Sequence, residues 1–290
     1  MLKVLKNSLS RRRHDLDREA GDYWAMSDIN ERIRDQSHWF GAGRWGRERW
    51  LAYGDFFCEL ALRRLREAGG GGGPEELARQ TALEWGCGGG AIVRPLCACF
   101  GLVYGLDISA ATLRECGKRV REFYGPGRGT AAGDAAPSRP AGKFIAVPIP
   151  AENPAAVFTS IPPASVDFIL SIGVFKHFPS QAYTLRVLGV MKKLLKPGGY
   201  LFVQIRDFDG SEKYRPKDRD YAQNVITMTS FTGEEFAAQL AAVGLTVRHR
   251  QRDGDGEEEN HAYYLLENGG APPSAPDIAA EGMTGDKERF

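Results

Sequence analysis

The 290-residue sequence has no surplus of charge of either sign, because 38 lysines and arginines stand against 37 acidic residues, a net charge of +1. A protein that grips nucleic acid unaided is expected to carry a strongly cationic surface. The balanced charge therefore argues against DNA or RNA as a substrate.

Long apolar runs are missing as well. Lysines interrupt the apolar residues of Met1–Lys6, and Arg11–Arg13 precede no hydrophobic segment, so neither a signal peptide nor a membrane helix is predicted. None of the five cysteines forms a Cys-x-x-Cys pair, and Cys97-x-Cys99 lacks partners at zinc-ligand spacing. We expect a cytoplasmic protein with no membrane partner and no dedicated metal site.

The most informative pattern that is present runs from Leu83 to Gly90, Leu-Glu-Trp-Gly-Cys-Gly-Gly-Gly, and continues from Leu102 to Asp107. It predicts a strand, a glycine loop, a helix and a second strand, with an acid closing each strand. Glycines are needed where backbone approaches a ligand closely, and the start of the following helix offers free N–H groups. The pattern predicts a site for an adenosine-containing ligand.

Two adenosine ligands fit the glycines. Gly86-x-Gly88-x-x-Ala91 satisfies the dinucleotide fingerprint, with Asp107 at about the distance of a ribose-binding acid. Glu84 favours the other ligand, because a carboxylate two positions before the first glycine repels a diphosphate and attracts an ammonium group. The residues from Glu84 to Gly90, followed by Asp107, resemble motifs one and two of the class I S-adenosylmethionine-dependent methyltransferases. An NAD(P)-dependent oxidoreductase and a non-catalytic binding module are the alternatives.

Further along, Leu-Lys-Pro-Gly-Gly-Tyr-Leu at 195–201 resembles the turn into strand five of small-molecule methyltransferases. The resemblance spans about residues 24–267 and is most specific at 83–90, 102–107 and 166–200. It implies an α/β fold, a Rossmann-like three-layer αβα sandwich with a mostly parallel seven-stranded sheet. An antiparallel terminal strand, inserted between its neighbours, and an N-terminal helical cap complete the expected fold.

Local patterns place the remaining elements. One predicted helix begins at a capping box formed by Thr232 and Glu235, with Phe231 and Phe236 as a hydrophobic staple. Gly244 is expected to end this helix. Ser109 caps another predicted helix. The predicted helices cover 109–123, 181–195 and 232–243, and the predicted strands cover 143–149, 165–171, 200–205, 245–250 and 261–266.

Composition divides the chain into four predicted segments: a disordered basic N-terminus at 1–22, a helical cap at 23–68, a methyltransferase domain at 75–267 and a disordered tail at 268–290. The five glycines at 69–73 separate cap from domain. Within the cap, Trp50, Tyr53, Phe57 and Leu60 recur at helical spacing. Aromatic residues of the cap either pack it onto the sheet or roof an apolar substrate pocket.

The resemblance assigns roles to residues at the strand ends. Glu84 is expected to bind the methionine amino group, Asp107 the ribose hydroxyls and Ile108 the adenine. A helix-capping carboxylate is the alternative role for either acid. The glycine loop contributes Gly86, Cys87, Gly88 and Gly90.

The loops after strands three and four complete the predicted cofactor site. Ala151 and Glu152 follow strand three, and Glu152 is expected to contact the adenine amino group. Asp134 is a rival for that role, and an exposed loop acid is the other interpretation of Glu152. Ser171 and Ile172, at the end of strand four, are expected near the sulfonium.

His177 follows strand four on the expected substrate side. An unperturbed pKa near ~6.5 suits a general base at neutral pH, and a histidine that packs or caps the next helix is the alternative, which the sequence favours because it shows no orienting partner for a base. The acceptor is expected to be an O, N or C nucleophile of a metabolite, and a homodimer is compatible with the sequence. Tyr214 lies in a charge-balanced stretch that also suits a surface loop. The predicted acceptor-binding residues are Trp39, Arg44, Phe175, His177 and Tyr214.

Overall fold

A computed structural model describes residues 16–25, 45–125, 142–252 and 260–269. Its seven strands form one sheet in the order β3-β2-β1-β4-β5-β7-β6. β7 runs antiparallel to β5 and β6, and the other pairings are parallel, so the predicted fold and the inserted terminal strand are confirmed. The strands are β1 Thr81–Trp85, β2 Leu102–Asp107, β3 Lys143–Pro148, β4 Val166–Ser171, β5 Leu195–Arg206, β6 Leu245–Arg252 and β7 His261–Asn268.

Helices cover both faces of this sheet. One face carries α1 Arg47–Glu67, α2 Val93–Cys99 and α3 Ala110–Tyr124, and the other carries α4 Gln181–Leu194 and α5 Gly233–Val243. Single helical turns lie at Pro74–Leu77 and Tyr221–Asn224, and 3-10 turns lie at Pro154–Thr159, Phe175–His177 and Glu212–Tyr214. No described helix has the length and apolar character that a bilayer crossing requires.

The central strands bury side chains on both faces, as a sheet covered twice must. On β4, Ile169 joins the hydrophobic cluster under α4, whereas Phe168 and Leu170 join the cluster under α1. The same alternation puts Glu84 of β1 on the α1 side of the sheet. β1 itself lies between β2 and β4. A carboxylate is thereby held inside the fold.

The predicted helix signals act as expected. Ser109 Oγ accepts a hydrogen bond from the Thr112 amide, and Thr232 with Glu235 forms the full capping box. The rings of Phe231 and Phe236 lie 5.2 Å apart, and the C-cap of α5, Gly244, has a φ of 71°. These patterns fix helix boundaries because their partners lie within one turn.

The glycine run at 69–73 does not divide two hydrophobic cores. Phe57, Leu60 and Leu65 of α1 share one cluster with Phe168 and Phe202 of the sheet. A Cβ at Gly54 would overlap the Ala91 backbone, so α1 approaches the glycine loop as closely as backbone permits. The helix predicted as part of a cap is therefore a layer of the sandwich itself.

The predicted disorder of residues 1–22 is wrong from residue 16 onward. Residues 16–25 are helical, and Leu16 and Ala20 are buried in a cluster with Tyr221, Val225 and Met228. Composition concealed this segment because its apolar residues are few and their partners lie about 200 positions away. Residues 1–15, residues 26–44 of the predicted cap, Asp134 and the tail beyond residue 269 lie outside the described residues.

Candidate active site

A cavity opens at the carboxyl ends of the strands, where β1 and β4 lie side by side and the winding reverses. Ligands of open α/β sheets bind at this position. Three kinds of segment line it: the glycine loop, the loops after the strands, and residues from α1 and the N-terminal helical segment. The lining residues include Ala20, Trp24, Tyr53, Glu84, Trp85, Gly86, Cys87, Gly88, Asp107, Ile108, Thr112, Ile149, Ala151, Ile172, Gly173, Val174, His177, Phe178, Pro179 and Tyr183.

Glu84 lies at the cavity wall and is only 3% exposed. The Val93 amide donates to its carboxylate, but Oε2 has no hydrogen-bond partner among the described residues. Burial raises the pKa of this carboxyl well above its ordinary range, and the charge of Asp107 adds to the shift. A buried carboxylate with an unused acceptor is stabilised by a cationic donor.

Asp107 closes β2 on the neighbouring position. The Ser109 amide donates to Oδ1 at 2.8 Å, and the Gly88 amide donates to Oδ2 at 3.2 Å. Withdrawal from bulk water raises the pKa of the carboxyl to about 6, against the opposing effect of these amides. Both oxygens keep lone pairs for further donors.

The glycine loop is held against β2. The amides of Gly86 and Cys87 both donate to the Leu106 carbonyl. Gly86 has a φ of 75°, and a Cβ at that position would overlap the Val174 side chain. Gly90 does not line the cavity; a Cβ there would lie 2.8 Å from Cys116 Sγ, so this glycine lets the loop pack on α3.

The predicted residues after β3 and β4 divide between cavity and core. Ala151 and Ile172 line the cavity. Glu152 is exposed and lies outside the lining, which fits the alternative interpretation of an exposed loop acid, and its contact with adenine stays a prediction. Ser171 is fully buried and donates from Oγ to the Trp85 carbonyl at 2.9 Å, which ties two strands together instead of facing the cavity.

His177 lines the cavity and has the orienting partner that the sequence did not reveal. Its Nδ1 lies 2.7 Å from the Val225 carbonyl oxygen, and its own carbonyl accepts a hydrogen bond from the Tyr221 hydroxyl at 2.6 Å. The Trp24 ring meets the imidazole edge-to-face, with centroids 5.4 Å apart. Two contacts therefore hold the imidazole ring, and a third holds the backbone that carries it.

The other described residues that were predicted to bind the acceptor, Phe175 and Tyr214, do not line the cavity. Phe175 is 1% exposed and packs on Phe178 in the hydrophobic core. Tyr214 is also buried, outside the cavity lining, with Arg206 and Lys213 over its ring. Both corrections have one cause, because large aromatic rings bury themselves where packing permits. Trp39 and Arg44 lie outside the described residues.

Several lining residues were not among the individually predicted site residues, although Trp24 and Tyr53 belong to the cap aromatics that could roof a substrate pocket. Tyr53 lies on the inner stripe of α1, and Thr112 lies in the first turn of α3, a position that the Ser109 cap would have indicated. Trp24 belongs to the tryptophan-rich N-terminal region. Ala20 and Tyr183 gave no signal, because only tertiary packing brings them to the cavity. Among the described residues, no cluster of three or more His, Cys, Asp or Glu side chains suits a metal ion.

The fold and the cavity together define an α/β enzyme with a cofactor site at the reversal point of its sheet. Residues 52–250 match a family model described as a methyltransferase domain, so the chain belongs to that family. The predicted resemblance to the class I S-adenosylmethionine-dependent methyltransferases is confirmed, and family membership assigns S-adenosylmethionine as the cofactor. Nothing supports the oxidoreductase alternative.

Solved structures share this fold at low sequence identity. A magnesium protoporphyrin IX methyltransferase from Synechocystis PCC 6803, with bound SAH, is 12% identical with a TM-score of 0.57, over 87% of this chain and 99% of its own. A geranyl diphosphate C-methyltransferase from Streptomyces coelicolor A3(2) is 13% identical with a TM-score of 0.51, over 74% and 80%. A SAM-dependent methyltransferase from Methanosarcina mazei is 18% identical with a TM-score of 0.51, over 66% and 93%. No curated protein matches the sequence.

Proposed function

We propose that the protein transfers the methyl group of S-adenosylmethionine to an O, N or C nucleophile of a small-molecule metabolite. The observation that carries this proposal is Glu84 Oε2, a buried carboxylate oxygen that has no hydrogen-bond partner among the described residues and lies at the cavity wall. Buried acceptors in native proteins are almost always satisfied. The α-ammonium group of the methyl donor supplies the missing donor and the compensating charge.

The other cavity residues fit the rest of that cofactor. Asp107 has lone pairs for the two ribose hydroxyls, and the adjacent Ile108 offers an apolar face to the adenine. Gly86 and Gly88 allow the loop backbone to come close. A dinucleotide fits less well, because its diphosphate would lie beside two carboxylates that the loop holds in place.

The bound cofactor supplies a methyl group on a positively charged sulfur. The chain's contribution is to hold the acceptor in line with that group and to exclude water from both. With S-adenosylmethionine held by Glu84 and Asp107, its methyl group would pass to the nucleophile and the electron pair of the broken bond would stay on sulfur. A nucleophile that starts protonated gives its proton to His177, whose Nδ1 faces the Val225 carbonyl and whose Nε2 therefore carries the lone pair.

Calorimetric titration separates this function from its alternatives. S-adenosylhomocysteine is expected to bind the full-length protein with 1:1 stoichiometry, and NADH is expected to give no heat at the same concentrations. Formation of S-adenosylhomocysteine from the methyl donor in the presence of an acceptor library, followed by mass spectrometry, distinguishes an enzyme from a binding module. Binding of NADH in preference to S-adenosylhomocysteine would contradict the proposal.

We also propose a cytoplasmic location and a function that needs neither nucleic acid nor membrane. The near-neutral net charge supports the first exclusion, and five free thiols suit a reducing compartment. A homodimer stays a prediction that analytical ultracentrifugation tests. Fluorescence microscopy of the tagged protein tests the location.

A further inference from the structure

We propose that Trp24 forms the acceptor-binding wall of the cavity, and that the acceptor is an uncharged aromatic molecule carrying a hydroxyl or amino group. The inference rests on the proposed function and deepens it. Its starting point is the helical segment at residues 16–25, which the sequence did not associate with a packed position.

This segment packs beside the cavity along its length. Asp17 forms an ion pair with Arg186 of α4, and a Cβ on Gly21 would lie 3.3 Å from Ala151 Cβ. Near the C-terminal end of the segment, Trp24 Nε1 donates to the Tyr221 hydroxyl at 2.9 Å. These contacts fix the segment, and Ala20 and Trp24 form part of the cavity wall.

Trp24 is placed next to the candidate base. The Tyr221 hydroxyl that accepts from Trp24 also donates to the His177 carbonyl, and the Trp24 ring meets the His177 ring edge-to-face at an interplanar angle of 72°. A molecule that packs against Trp24 therefore lies within reach of the imidazole. This places the acceptor atom where its proton can be removed.

The remaining walls on this side are aromatic or aliphatic. Tyr53 from α1, Phe178 after the 3-10 turn and Tyr183 from α4 line the cavity, together with Val174 and Pro179. Aromatic rings favour a flat apolar guest through stacked and edge-to-face contacts.

The charges of the lining residues and of the cofactor restrict the acceptor further. Within the described lining, the acidic side chains are Glu84 and Asp107, both at the cofactor end of the cavity, and no lysine or arginine contributes. A carboxylate or phosphate on the acceptor would lose its hydration against these aromatic and aliphatic walls, with no lysine or arginine partner among the described lining residues. A cationic acceptor would face the positive sulfur of the methyl donor. An uncharged hydroxyl or amine avoids both costs.

The test uses 1-naphthol, 1-naphthoate and 1-naphthyl phosphate as probes, titrated by calorimetry into the full chain saturated with S-adenosylhomocysteine. We expect 1-naphthol to bind at least ~10-fold more tightly than either anion. Trp24→Ala should weaken naphthol binding ~10-fold or more, and Trp24→Phe should keep most of the affinity because an aromatic ring remains. Glu122→Gln, on the exposed side of α3 and outside the cavity lining, should change naphthol affinity less than threefold.

Binding of S-adenosylhomocysteine is measured for every variant. If the wild-type chain does not bind it, the proposed function fails and this inference fails with it. If the cofactor product binds but naphthol does not, or an anionic probe binds more tightly, or Trp24→Ala binds naphthol like the wild type, the acceptor assignment is wrong while the methyltransferase function stands. Loss of naphthol affinity in Trp24→Ala with restoration in Trp24→Phe supports the assignment, since undocking of the segment would also weaken the binding of S-adenosylhomocysteine.

Discussion

His177 Nδ1 lies 2.7 Å from the carbonyl oxygen of Val225, 48 residues further along the chain. A carbonyl only accepts, so Nδ1 carries the proton and Nε2 is the basic nitrogen. Val225 is itself buried in the cluster that holds the N-terminal helical segment. The tautomer of the imidazole therefore depends on how three distant segments pack together.

Removal of the imidazole tests the base. His177→Ala and His177→Gln are expected to lower kcat by ~10²–10⁴ for an acceptor that starts protonated, the usual contribution of general base catalysis. The affinity for S-adenosylhomocysteine should stay within about twofold, because the ring acts on the acceptor side. Steady-state kinetics and calorimetry measure the two quantities separately. Unchanged turnover in both variants would exclude His177 from proton transfer.

Replacing Glu84 by a neutral residue should weaken cofactor binding without lowering the stability of the fold. Glu84→Gln is expected to weaken binding of S-adenosylhomocysteine by ~10–100-fold, the value of a hydrogen bond to a charged group. The melting temperature should not fall, because burial already opposes the charge on this carboxylate and raises its pKa. Calorimetry and thermal melts measure both effects.

Glu122→Gln is the matched control for Glu84. Glu122 is exposed on α3 and pairs with Arg119, so its neutralisation should leave binding and melting temperature nearly unchanged. Wild-type affinity in Glu84→Gln would remove the contact between this carboxylate and the ammonium group.

The raised pKa of Asp107 predicts the direction of a pH effect on binding. The carboxyl titrates at about 6 in the free protein, and a ribose diol donates best to the ionised form. Affinity for S-adenosylhomocysteine should therefore fall as the pH drops below about 6, and binding in that range should release protons. The raised pKa of Glu84 acts in the same direction. Titrations between pH 5 and 8 measure the slope, and a flat profile would contradict both assignments.

The raised pKa of Asp107 also affects the stability of the fold, and here the effect of pH is opposite to its effect on cofactor binding. A carboxyl whose pKa rises from 3.8 to about 6 on folding binds its proton more tightly in the folded state. Its contribution stabilises the protein at acidic pH and is lost as the pH rises from about 4 to about 6. Asp107→Asn should remove that part of the pH dependence of the melting temperature, and it should also reduce the pH dependence of cofactor binding.

Features encoded by neighbours in sequence were predicted well. The Glu84–Gly90 loop, the capping box at Thr232 and the inserted strand β7 all follow from local patterns or from the resemblance that those patterns carry. The orientation of a strand-end side chain was harder to predict. Ser171 ends β4, yet strand alternation turns it toward Trp85 inside the sheet.

Long-range packing accounts for the remaining differences. The segment at 16–25 has too few apolar residues to predict a packed helix, and its position depends on Tyr221, Val225 and Met228. The partner of His177 is a backbone carbonyl, which no residue type reveals. Positions set by contacts about 50 to 200 residues apart leave no periodic signal in one sequence.

Gly86 and Gly189 differ in whether the surrounding structure has room for a side chain, and replacing each by alanine tests whether the glycine loop needs a glycine. Gly86 has a φ of 75°, and a Cβ there would overlap the Val174 side chain, whereas Gly189 lies inside α4 and a Cβ there would meet no atom within 4 Å. Gly86→Ala should cost at least ~2 kcal/mol, because left-handed backbone and a stiff β-branched neighbour both oppose it. Gly189→Ala should stabilise the fold by ~0.5–1 kcal/mol, since alanine loses less entropy in a helix. Chemical denaturation measures both. A Gly86→Ala protein as stable as the wild type, with intact binding of S-adenosylhomocysteine, would show that the loop tolerates a side chain and does not need the close backbone approach proposed for the cofactor.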